Sequence, residues 1–222
     1  MDVNVMELPL FPLNVVLFPG MPLQLHIFEE RYKEMVQACL RSERMFAVAL
    51  IRSGEEALGP LAEPHMVGCL AQIVEVQPLE EGRMNLTVVG RERVRIHSLD
   101  RKSAPYLIGR VEPYPLKAVI TDDLQRVAGQ MRPRIEQYVH LLIRISDHHK
   151  EPDPLPEDPK LVAYLAAILL QIPLAEKQAF LEAETATGLY NLLEGVINRE
   201  LALLLAMLSE SSRDGIGVFS RN

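Results

Sequence analysis

From Glu7 to Val111 the apolar positions come in short runs, many of period two, broken by proline and glycine. That is the pattern of β-strands and tight turns. Glu7–Leu13 is interrupted by Pro9 and Pro12, which suits an edge strand, because proline has no N–H to give to a ladder. Val15–Phe18 is an unbroken apolar run and predicts a buried strand. Phe18-Pro19-Gly20-Met21 carries proline second and glycine third, the chemistry of a type II turn. Leu23, Leu25 and Ile27 then alternate with Gln24 and His26, giving one dry and one wet face. At Phe28 the period changes: Phe28, Tyr32, Met35, Val36, Cys39 and Leu40 recur at helical spacing up to Ser42. Glu29 and Glu30 fall in the first turn of that helix, where its dipole favours anions, and Glu29 stands four residues before Lys33. Met45–Ile51, Gly68–Val76, Met84–Val89, Arg91–Ile96 and Tyr106–Val111 predict further strands. Ser53–His65 reads as a long loop and Glu80–Arg83 as a hairpin turn.

After Pro113 and Pro115 the pattern turns helical. Thr121 before Asp122 and Asp123 is a helix start, followed by Leu124, Val127, Met131, Ile135, Tyr138, Leu142 and Ile145, with Pro133 inside as a source of a kink. Residues 146–159 form a polar, acidic, proline-rich linker. Helices are expected at Lys160–Ile172, Leu174–Glu182 and Thr187–Ser209. The fold class expected is therefore α+β: a β-rich part over 1–117, a helical bundle over 118–209 and a tail over 210–222.

Composition narrows the function. With 222 residues, 48% apolar and 24% charged, the chain can bury a core without staples. A net charge of −7 gives no general counterion-release gain on a phosphate backbone, which argues against nucleic acid. Cys39 and Cys69 form no CxxC pair and are expected to be buried thiols. The start, Met1–Glu7, lacks the regions of a signal peptide, and Leu161–Ile172 is too short to span a bilayer. A cytoplasmic protein with no membrane partner is expected.

The run Leu8-Pro9-Leu10-Phe11-Pro12-Leu13-Asn14-Val15-Val16-Leu17-Phe18-Pro19-Gly20, followed by Leu25-His26-Ile27-Phe28-Glu29-Glu30-Arg31-Tyr32, resembles the opening of the Lon protease N-terminal domain family. Gly68-Cys69-Leu70-Ala71-Gln72-Ile73 and Val89-Gly90-Arg91-Glu92-Arg93-Val94-Arg95-Ile96 resemble later blocks of that family, and Glu176-Lys177-Gln178 before a Leu-rich helix fits as well. The resemblance implies a PUA-like twisted β pseudobarrel carrying one helix, then a helical bundle. Pro12, Asn14, Pro19, Gly20, Phe28, Glu29, Arg31, Tyr32, Gly68 and Gly90 are then its structural motif positions. It also implies substrate recognition: binding of unfolded or exposed polypeptide segments between the β part and the bundle. The partner in that case is a separate ATP-dependent protease for which the chain acts as adaptor; a homo-oligomer is left open. The chain ends where the family's ATPase and peptidase would begin, so a free-standing module without catalysis is expected.

The residues themselves nominate no chemistry. There is no GxxxxGK[ST] phosphate loop and no GxSxG nucleophile elbow. No cofactor is implied. His148 and His149, near Asp147 and His140, sit in the linker, where solvation explains them better than a metal does. Asp153, Glu157 and Asp158 read as part of a stiff acidic spacer. The candidates for partner contact are Glu29, Glu30 and Arg31 on the first helix and Arg91, Arg93 and Arg95 on one strand. The three arginines alternate as the wet face of a half-exposed strand does, with Glu92 and Val94 behind. The rival reading makes that face a PUA-like site for RNA or a small ligand. The Leu-rich last helix is apolar over more than one stripe. It is expected either at the centre of its own bundle or at a peptide groove or dimer interface.

Overall fold

The computed structural model describes residues 5–56, 59–145 and 152–214. His148, His149 and the start of the linker lie outside the described residues, as do 215–222. The chain divides into two compact units. One comprises Met1–Leu116 with Ile172–Glu182, the other Lys117–Gln171 with Ala183–Asn222.

The first unit is built on seven strands: β1 (Met6–Leu13), β2 (Pro22–Ile27), β3 (Met45–Ser53), β4 (Glu63–Pro64), β5 (Val67–Pro78), β6 (Met84–Asp100) and β7 (Leu107–Pro113). They run β1-β7-β6-β5-β3-β4, and β1 also pairs with β3 in parallel. The pairings β1-β7-β6-β5-β3-β1 therefore close a circuit of five strands. β2 stands outside it and, among the described residues, pairs with β6 alone. Helix α1 (Glu30–Leu40) follows β2. Alternation gives the strands two apolar faces. Phe11, Leu13, Phe46, Val48, Cys69, Ala71, Ile73, Leu86 and Val88 pack with Tyr32, Met35, Val36 and Cys39 of α1. Leu10, Ala47, Ala49, Leu70, Val94, Ile96, Leu107 and Val111 form the other cluster.

β1 is not an edge strand, contrary to expectation from its prolines. It pairs with β7 over Met6–Leu10 and with β3 over Leu10–Leu13. Pro9 has a partner only in β7 and Pro12 only in β3, so at each proline one side is free to take the missing donor. Val15–Phe18 is not a strand either. Val16, Leu17 and Phe18 are buried in a loop, so the apolar run reported burial rather than a ladder. The turn after it is as read: the Met21 N–H donates to the Phe18 carbonyl at 3.0 Å and Gly20 has φ +82°. The two strands expected at Met84–Val89 and Arg91–Ile96 are one, β6. It is bent by an irregularity where Cys69 and Ala71 of β5 face Arg93 and Gly90.

The second unit holds helices α2 (Asp122–Ile145), α3 (Pro159–Leu169) and α5 (Ala186–Asp214). Thr121 caps α2, its hydroxyl accepting from the Leu124 N–H at 3.1 Å. Asp158 caps α3 by accepting from the Lys160 N–H at 2.8 Å, with Pro159 inside the first turn. α2 buries Leu124, Val127, Met131, Ile135, Tyr138 and Leu141; the expected Ile145 is exposed. α5 buries Leu189, Leu193, Ile197 and Leu201 along one stripe, while Leu203, Leu205 and Met207 are exposed. Its backbone runs on through Asp214, beyond the expected end at Ser209. No helix among the described residues is long and apolar enough to cross a membrane.

Helix α4 (Leu174–Glu182) departs from the expected 118–209 bundle, because it belongs to the β unit. Its polar side explains why. Gln178, buried, donates to the Val67 carbonyl at 3.0 Å; the Tyr114 hydroxyl donates to the Glu182 carbonyl at 3.2 Å; and Arg93 donates to the Leu181 carbonyl at 2.5 Å.

Candidate functional site

The arginine face does not survive as a surface. Arg93 is 1% exposed. Its guanidinium meets the last carbonyls of α4, where a cation favours the helix dipole, and lies 4.7 Å from the centre of the Tyr114 ring. Arg95 stacks on the same ring at 4.2 Å and is half-buried, and of the three only Arg91 is exposed. The alternation fails at the irregularity between Gly90 and Arg93: Arg91 and Glu92 are both exposed, Arg93 and Val94 are both buried, and α4 covers Arg93. Helical periodicity in α4 gave no hint of that partner.

Arg31 is also committed internally. It donates to the Gly59 carbonyl at 3.0 Å, pairs with Glu29 at 2.8 Å and lies over the Tyr32 ring at 4.8 Å. Glu30 is exposed and pairs with Lys33 at 2.8 Å. Phe28 is not on the buried helical stripe. α1 begins at Glu30 with Glu29 extended before it, so Phe28 escapes the helical period and is 43% exposed, beside the His26 ring at 5.9 Å.

Several motif positions meet at the start of β2. The Gly20 N–H donates to the Gly90 carbonyl at 2.8 Å, and the Gly90 N–H to the Met21 carbonyl at 2.9 Å. A Cβ on Gly90 would stand 2.1 Å from the Phe18 carbonyl oxygen, so only glycine allows this approach. The Pro19-Gly20 turn and the Gly90 block thus clasp β2 onto β6. Gly68 lies in β5 against the Val48 carbonyl, and the Asn14 N–H donates to the Glu56 carboxylate at 2.7 Å.

This clasp sets the phase of β2. Main-chain groups in an antiparallel pair point alternately toward and away from the partner. Counting from the Gly90–Met21 bond, Leu23, Leu25 and Ile27 turn theirs toward Val88, Leu86 and Met84 of β6. Gln24 and His26 turn theirs outward, and so does Pro22, the one residue with no N–H to lose. Among the described residues no strand takes that outer edge.

Beside the edge lies a cleft of about 250 Å³. Buried Phe11, Leu13, Ile27 and Tyr32 make its apolar wall, with the Phe11 and Tyr32 rings 4.1 Å apart. Gln24, His26, Phe28, Glu29 and Glu56 stand around it. Burial raises the Tyr32 phenol above its ordinary pKa; Arg31 opposes this, while the Glu29 and Glu56 carboxylates add to it. Of the residues nominated from sequence only Glu29, Phe28 and Tyr32 line the cleft. Gln24 and His26 had been read simply as a wet face. The signal that singles them out is their phase relative to the Gly20–Gly90 clasp, which needs the pairing partner to be known. The thiols are buried, Cys39 pushed up to about 11 and Cys69 to about 12 by desolvation, so neither is a nucleophile.

The described residues thus form an α+β fold with an outward strand edge beside an apolar cleft. The comparisons give it a family. The model of the ATP-dependent protease La (LON) substrate-binding domain matches residues 7–198, and the chain belongs to that family. It is 27% identical to a Lon protease of Anaeromyxobacter dehalogenans over 199 residues, covering 89% of this chain and 24% of that protein. It is 27% identical to Lon protease 1 of Thermus thermophilus over 213 residues, 94% of this chain and 26% of that one. The chain thus spans about a quarter of the length of these relatives. Its fold matches the N-terminal domain of the Mycobacterium avium complex Lon protease with a TM-score of 0.66 at 18% identity, over 87% of this chain and 98% of that one. It also matches a Lon N-terminal domain protein from Xanthomonas campestris with a TM-score of 0.60 at 23% identity, over 90% of this chain and 98% of that one. The family match covers the substrate-binding domain, over residues 7–198.

Proposed function

We propose that this chain is a non-catalytic polypeptide-recognition module that holds extended, exposed segments of other proteins by adding them as a strand to β2. The observation that carries this is the outward edge at Gln24 and His26, lying beside the apolar cleft. Main-chain bonds give such binding its strength whatever the sequence, and side-chain pockets give it selectivity. Pro22 ends the ladder on one side and α1 on the other, which limits the bound stretch to a few residues and keeps binding weak. Membership of the family supports the reading that the bound segments are destined for an ATP-dependent protease, which makes the chain an adaptor in protein quality control. The closed five-strand circuit supports the PUA-like pseudobarrel that the resemblance implies. Burial of Arg93 under α4 removes the observation that favoured RNA.

The test is binding of the purified chain to an array of unfolded-protein peptides at two salt concentrations, beside a Gln24→Pro variant. Salt-tolerant binding that Gln24→Pro abolishes is expected. Absence of peptide binding at both salts, or binding that Gln24→Pro leaves intact, overturns edge recognition. A steep fall of affinity with salt on RNA alone would point to the rival partner.

A further inference from the structure

The cleft beside β2 says more about the segment than that it is extended. A strand laid on the outer edge of β2 points alternate side chains to the face of Leu25 and Ile27, and that face opens on the cleft. The cleft wall is apolar, but among the described residues its formally charged lining residues are both carboxylates, Glu29 and Glu56, with no lysine or arginine. Arg31 already answers Glu29 at 2.8 Å. Glu56 accepts from the neutral Asn14 N–H. Among the described residues, two carboxylates and one guanidinium give this lining a surplus of negative charge.

Resting on the reading above, we propose that the cleft receives the side chain of a lysine or arginine carried by the bound segment. The alkyl stem of such a residue suits Phe11, Leu13, Ile27 and Tyr32, and its cationic head suits the charge left at Glu56. Long basic side chains combine these two parts, burying the stem while the head stays wet. An all-apolar side chain fills the slot but leaves the carboxylate unanswered, and an acidic one meets like charge. The substrate class is therefore an extended, largely apolar stretch with a basic residue within it, rather than any unfolded chain.

Three otherwise identical extended peptides, with lysine, norleucine or glutamate at the central position, test this by fluorescence anisotropy on the full chain. A partly exposed pair of this kind is worth about threefold in affinity for lysine over norleucine, and about tenfold over glutamate, where repulsion adds. Glu56→Gln keeps an oxygen for the Asn14 N–H and is expected to erase the lysine advantage, as is raised salt. Equal binding of all three peptides, or a lysine preference untouched by Glu56→Gln, overturns the basic anchor and leaves strand addition standing. Binding by none of the three overturns both.

Discussion

β1 and β2 look alike as text: both are short, both carry proline and both mix apolar with polar residues. β1 is paired on both sides and carries the circuit that closes the sheet; β2 is paired on one side and leaves the other open. The difference lies in where each proline falls. In β1 the prolines flank Leu10, the one position with a partner in both β7 and β3. In β2 the proline stands at the outward-facing phase, where it costs no ladder bond. Proline in a strand thus marks which side of the chain is unpaired at that residue, not whether the strand is an edge.

The most severe way to break this contrast is Leu10→Pro. Partners lie on both sides at Leu10, so its N–H is lost from one ladder whichever way it points, and the side chain leaves a fully buried site. The expected loss is upwards of about 4 kcal/mol, most of a typical domain's stability. Urea unfolding followed by circular dichroism measures it, and Cys39 and Cys69 report it independently. Both thiols are buried, so alkylation at about pH 8 is expected to be slow in the parent chain and fast in the variant. The same burial has a pH signature. The folded state holds those protons above the ordinary value of 9.0, so this contribution to stability is complete below that pH and lost as pH rises through about 11 to about 12. Alkylation of the parent as fast as that of the unfolded chain would contradict the packing described.

A smaller effect separates the two ends of β6. Near β2 that strand has an open, polar face at Asn85 and Thr87; further along, Arg93 lies under α4. Arg93→Met removes the cation from the last carbonyls of α4 and from the Tyr114 ring, with an expected cost of about 2 kcal/mol. Arg91→Met, two residues away and exposed, is expected to change stability by no more than about 0.5 kcal/mol. Equal midpoints for the two variants in urea would return Arg93 to the surface.

These contrasts also show what was legible in the sequence. Period two and period 3.6 marked the strands and helices because each side chain's face follows from its own position, and the Phe18–Met21 turn was written in its residues. The family blocks were legible as words, but not their reason: Gly20 and Gly90 are seventy positions apart in a chain whose folding makes them neighbours, and glycine is needed only because the Phe18 carbonyl comes so close. Arg93 was misplaced for the same cause. The irregularity that breaks its alternation with Arg91 depends on the pairing with β5, and the helix that covers it comes some ninety residues later. The candidate site was least legible of all, because an unpaired edge is defined by a strand that is not there.

Gln24→Pro is a mild change to the fold and the sharpest test of the comparison. The Gln24 N–H faces away from β6, so proline removes no bond that the chain makes with itself, and extended backbone tolerates the ring. The side chain it removes is exposed. The expected change in stability is within about 1 kcal/mol, against the near-complete loss for the same residue type at position 10. If β2 is held open for a partner, that small structural change removes a main-chain bond to the partner and blunts the edge, so peptide affinity falls while the urea midpoint hardly moves. A large loss of stability at position 24 would mean that its N–H is already in use within the fold, and β2 would then be a structural strand like β1.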